Sequence, residues 1–96
     1  MHMPQYPVLC YTPGCGKAAL YKIAARWSDG VTSELKTYGL TCHDCLQTWY
    51  SRAKRSRAAC RLAPGESLED PGIYRVERGA RDHQLERLRE LETSAD

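Results

Sequence analysis

The strongest constraint on this 96-residue chain is the placement of its cysteines. Four residues lie between Cys10 and Cys15, two between Cys42 and Cys45, and twenty-six between the pairs. Two close pairs around a chain-reversing insert let four sulfurs share one ion, because structural zinc takes four ligands in a closed tetrahedron. A chain this short buries little surface, and natural domains of this size often add a metal or disulfides. Five cysteines are an odd number, which disfavours a fully paired disulfide framework. Met1-His2-Met3-Pro4 lacks the basic region and apolar stretch of a secretory signal. No apolar run approaches the ~20 residues that span a bilayer. The expectation is a cytoplasmic protein away from membranes, with one structural Zn2+ on Cys10, Cys15, Cys42 and Cys45.

The local signals order the elements. Around the first pair, Pro13 presets a backbone angle while Gly14 and Gly16 tolerate positive φ, so Leu9 to Lys17 reads as a turn or knuckle. Ala18 to Trp27 and Val31 to Leu40 flank Ser28-Asp29-Gly30 and predict a hairpin. A three-residue loop pairs Trp27 with Val31, Ala25 with Ser33, Ile23 with Leu35 and Tyr21 with Thr37. That register gathers the apolar residues on one face, whereas a two-residue loop sets Ile23 against Lys36 and mixes the faces.

After the second pair, Leu46, Trp49, Ala53 and Cys60 fall on one stripe at helical spacing, with Tyr50 beside it. Thr41 is the expected cap, and Pro64-Gly65 ends the helix near Leu62. On that stripe Cys60 reads as a buried small hydrophobe. Residues 66–72 read as a loop and residues 73–78 as a short strand. A last helix starts at Asp82 and carries Leu85, Leu88 and Leu91 on one side.

A knuckle, a hairpin and a helix whose first turn supplies the last two ligands resemble the treble-clef zinc fingers. Zinc ribbons are similar but take their second pair from another knuckle. The resemblance covers residues 8–62 and rests on Cys10-x4-Cys15 and Cys42-x2-Cys45. The four-residue first spacing is wider than the usual two. The resemblance implies a small α+β fold with one zinc; treble clefs include DNA-binding fingers, ribosomal proteins and protein-interaction modules, so fold alone does not assign activity. The expected organisation is a zinc-binding domain at 1–63 and a strand-helix arm at 64–96, packed on that domain or on a partner.

Charge divides along the same boundary. Residues 1–63 carry nine basic and three acidic side chains, and residues 64–96 carry five basic and nine acidic, for a total of +2. Four thiolates on one divalent ion would bring the chain close to neutral. That argues against a strongly electrostatic nucleic-acid binder. Residues 51–61 nevertheless hold Arg52, Lys54, Arg55, Arg57 and Arg61, which could meet phosphates or an acidic partner. On a helical wheel they do not form one stripe, so a solvated helix explains them equally well.

Four cysteines close a metal shell, while catalytic zinc keeps a position open. His43, between two ligands, is expected to point outward, and Asp44 to favour the helix start through its dipole. His2, His43 and His83 share no evident site, and the glycines sit in turns. The chain therefore reads as a non-catalytic protein-interaction module. Nucleic-acid binding through residues 51–61 is the alternative, and a thiol redox role the weaker third. The C-terminal leucines allow docking on the chain's own domain, a homodimer or a partner groove.

Overall fold

The computed structural model describes residues 8–76 and 85–95. The chain builds strand β1 (Tyr21–Ser28), strand β2 (Ser33–Thr41), helix α1 (Leu46–Ala59), strands β3 (Ser67–Leu68) and β4 (Gly72–Arg75), and helix α2 (Arg89–Ala95). It is a small α+β protein. All strand pairs are antiparallel, with β1 at the centre: β2 lies along one edge, and β3 and β4 share the other. Beyond β4, residues 86–88 continue the pairing, with the Arg75 N–H donating to Glu86 and the Leu88 N–H to Ile73.

The main core lies between one sheet face and the helices. Ile23 and Ile73, opposite each other on β1 and β4, are fully buried against Leu46, Tyr50 and Ala53 of α1 and Leu88 near α2. Burying each isoleucine contributes about 1.5–3 kcal/mol. The other face holds a smaller cluster of Ala24, Leu35 and Tyr74, with Leu85 beside it.

The hairpin register differs from the one predicted. Trp27 pairs with Glu34, Arg26 with Leu35 and Ser28 with Ser33. The loop has four residues rather than three, because the Asp29 carboxylate accepts the backbone N–H of Val31 and Thr32 and shapes it locally. Leu35 therefore lies on the face opposite Ile23, and Val31, expected in the core, is 91% exposed. Between Ala24↔Thr37 and Ile23↔Gly39 the register shifts, leaving Tyr38 as the extra residue of a bulge. The bulge brings both Tyr38 and Gly39 towards α1: Tyr38 packs on the main core, and Gly39 lies under Trp49.

Other boundaries move for physical reasons. The N-cap of α1 is Cys45 rather than Thr41, which is fully buried at the end of β2. The helix stops at Ala59, short of Leu62, with Cys60 already extended. Cys60 therefore leaves the apolar stripe and is only half-buried. Residues 66–72 include β3, anchored when Arg57 reaches across to donate to the Leu68 carbonyl at 2.7 Å. The C-terminal helix starts at Arg89, since residues 86–88 pair with β4 instead; Asp82, and residues 77–78 of the expected strand, lie outside the described residues. That pairing sends Leu85 to the smaller cluster and Leu88 to the main one, so the three leucines do not share one face.

Arg87 and Glu92 hold this C-terminal region to the sheet. They form a two-pronged ion pair at 2.8 and 3.0 Å, and the Ile73 N–H donates to the same carboxylate at 3.1 Å. Gly72 leaves room for it: an added Cβ would lie 2.7 Å from Arg87 Nε.

Candidate metal centre

Each cysteine pair is placed by a short, strongly turned segment. Leu9 bridges Ala18, and the Cys10 N–H donates to the Lys17 carbonyl, closing a small loop. Inside it the Cys15 N–H donates to Thr12, and Gly14 and Gly16 adopt φ of 79° and 69°, which favours glycine at both positions. The second pair follows β2 directly: Cys42 is the first residue past Thr41, and Cys45 caps α1.

Three contacts bring the two segments together. The Tyr11 N–H donates to Leu40 at 2.8 Å and the Leu20 N–H to Thr41 at 2.8 Å, tying the first loop to the end of β2. Lys17 forms an ion pair with Asp44 across the gap. Asp44, directly before the helix N-cap, thus also serves as a clasp between the loops.

The four sulfurs converge. Their Sγ atoms all lie within 4.8 Å of one another, with Cys15 to Cys42 at 3.7 Å and Cys45 to Cys15 at 4.0 Å. A tetrahedron with zinc–sulfur bonds of about 2.3 Å has edges of about 3.8 Å. A disulfide would need about 2.0 Å, and all five cysteines are free of disulfides. The donor set and spacing therefore fit a four-coordinate divalent ion. Cys10 and Cys42 are buried, Cys15 and Cys45 half-buried, so the centre sits at the edge of the core.

The electrostatics favour a cation. Burial works against the Cys10 thiolate, yet the Thr12 hydroxyl and the N–H groups of Cys42 and Thr12 outweigh it and bring the thiol down to about 6. Thr12 also draws Cys45 down, but Cys42, burial, Cys10 and Cys15 together push it up to about 11. Four adjacent sulfurs resist carrying four charges unless a cation shares them.

Two neighbours of the cluster escaped the sequence reading. The Trp49 indole N–H donates to Thr12 Oγ1 at 2.8 Å, and Thr12 Oγ1 lies 3.5 Å from Cys10 Sγ. Trp49 stands four residues after Cys45, and helical side chains lean towards the N-terminus, which carries its ring back over the centre. That geometry was the available signal.

The remaining candidates are dispersed. His43 is exposed beside the Tyr21 ring, at 6.3 Å between centroids, and takes no part in the cluster. Cys60 lines a separate cleft of about 320 Å³ with Trp27, Lys36, Leu62 and Glu66. Arg52 lies over Trp49 at 4.6 Å and Lys54 over Tyr50 at 5.1 Å. Arg57 is bound to the Leu68 carbonyl and lies 3.8 Å from Asp70, while Arg55 and Arg61 are exposed. The five basic residues therefore do not form one patch.

Among the described residues, no helix is long and apolar enough to cross a membrane. No family model, curated protein or solved structure matches the chain.

Proposed function

We propose that the chain is a non-catalytic structural-zinc module of treble-clef type that binds another protein. The observation that carries this reading is the closed set of four sulfurs, spaced as the corners of a zinc tetrahedron. All four positions belong to the protein, which leaves zinc no vacant position for water or substrate. The order of knuckle, hairpin and helix, with Cys45 as the helix N-cap, supports the treble-clef assignment.

The partner surface we propose lies at the first knuckle. Leu88 and Leu91 pack on the chain's own core, so a homodimer through that edge would have to displace them. By contrast Leu9, Tyr11 and Leu20 are each about half exposed; the Leu9–Ala18 pairing turns Leu9 and Leu20 to the side away from buried Cys10 and Ala19, while Tyr11 meets the Trp49 ring edge-on.

Nucleic-acid binding is the second reading, favoured by exposed Arg52, Arg55 and Arg61 and weakened by the engagement of Arg57. Native mass spectrometry before and after chelation tests the zinc assignment: one zinc per chain, with loss of fold on removal, is expected. Crosslinking of the L9S/L20S double variant tests the surface, with loss of the captured protein expected. Salt-dependent RNA or DNA binding that R55E abolishes would favour the second reading instead.

A further inference from the structure

One line of contacts without a role so far runs from Trp49 through Thr12 to the cysteines. Thr12 Oγ1 accepts the indole N–H at 2.8 Å. A hydroxyl has one proton to give. As a thiol, Cys10 donates its proton to Thr12 Oγ1 at 3.5 Å; as a thiolate it can only accept, and the Thr12 proton is then directed at that sulfur. A metal-bound thiolate is an acceptor and cannot donate, so the Thr12 O–H supplies what such a sulfur lacks.

The indole is itself tightly placed. Gly39 lies against its face so closely that a Cβ would come within 2.7 Å of Trp49 Cε3. Tyr11 meets it edge-on at a centroid distance of 5.9 Å, and Arg52 lies over it. Packing from β2, the first knuckle and α1 therefore fixes the direction of the N–H, and with it the orientation of Thr12.

We propose that Thr12 and Trp49 are a positioning pair for the metal centre, with the indole holding the Thr12 hydroxyl as a donor to the Cys10 thiolate. The inference rests on the zinc reading above. Its consequence is that the helix and the first knuckle are joined through the ligand shell as well as through the ion. Groups in this position outside the ligands commonly contribute 10–100-fold to metal affinity.

The test is zinc affinity by competition with a chromophoric chelator for wild type, T12V and T12S. We expect T12V to bind zinc about 10–100-fold more weakly, and T12S, which keeps the hydroxyl, to stay near wild type. Equal affinities for wild type and T12V would overturn the proposal, as would equal losses in T12V and T12S. If T12V does not fold, the wild-type zinc form still decides through the indole proton resonance of Trp49, assigned by comparison with W27F. Slow solvent exchange of that proton supports the bond, and exchange at the rate of a free indole overturns it. Failure of the zinc reading is separate: wild type would then carry no metal at all.

Discussion

The two ends of the β1–β2 hairpin are made of the same strands and held in different ways. At one end, Tyr21 and Thr41 sit beside the metal centre, where the first knuckle, the helix N-terminus and β4 all converge. At the other end, the Asp29–Thr32 loop is shaped by a carboxylate within the loop itself, and Val31 stands in solvent. One end is determined by contacts distant in sequence; at the other, β3 pairs with Trp27 and Ser28 below the turn, but the turn itself is shaped by its own four residues. Substitutions at the first should therefore propagate, while those at the tip should stay local.

The largest expected effect is at the metal. Cys42→Ser removes a buried ligand, and with it most of the zinc-dependent stability, which for structural sites is about 10–16 kcal/mol of apparent binding energy. Zinc content and far-UV circular dichroism would show a metal-poor, largely unfolded chain. A folded C42S protein without metal would erase the contrast between the ends.

Next is the C-terminal clasp. Glu92→Gln leaves Arg87, whose side chain is only 23% exposed, without its counter-charge. We expect a loss of about 2–4 kcal/mol, somewhat below that of a fully buried pair, read from urea denaturation. Burial opposes the Glu92 carboxylate, but Arg87 and the Ile73 N–H hold its pKa below the ordinary value. Its contribution is therefore complete above the unfolded carboxyl pKa of about 4.3 and is lost as pH falls through the lower folded value. Wild-type stability should drop more steeply than that of E92Q in this acid window.

Gly39→Ala follows, at about 1–3 kcal/mol, because its methyl group would meet the Trp49 ring. The same variant should shift the Trp49 emission, which a purely local backbone effect would leave alone. Smallest is Val31→Ser, expected within about 0.5 kcal/mol of wild type. A larger loss there would show that the tip is not autonomous.

What could be read from the sequence follows the same division. The cysteine pairs declare themselves through spacing and through Pro13, Gly14 and Gly16. The existence of the hairpin follows from Ser28-Asp29-Gly30, and the apolar stripe of α1 from Leu46, Trp49 and Ala53 with Tyr50 beside it; of these the structure buries Leu46, Tyr50 and Ala53. The register was not legible, because Asp29 closes a four-residue loop and Tyr38 adds a bulge, so a simple alternation of faces counts wrongly on both sides. Cys60 leaves the apolar stripe because the helix ends at Ala59, and the anchoring of the Arg57 guanidinium on the Leu68 carbonyl depends on β3, which the sequence reads as loop. Leu85 was misplaced because an edge of β4 was open to residues 86–88, a tertiary opportunity that helical spacing does not reveal. Thr12 looked like an ordinary turn residue until Trp49 was folded back over it.

The early end of α1 has a practical consequence. It leaves Cys60 half-buried on a separate cleft, away from the other four sulfurs. While an ion occupies those four, Cys60 is the one thiol of the five left for a mild alkylating reagent. The chain is thus its own counter: one label per molecule when loaded and five when stripped and unfolded. Cys60 also serves as an internal standard, and the kinetics of the other four report the lifetime of the ion.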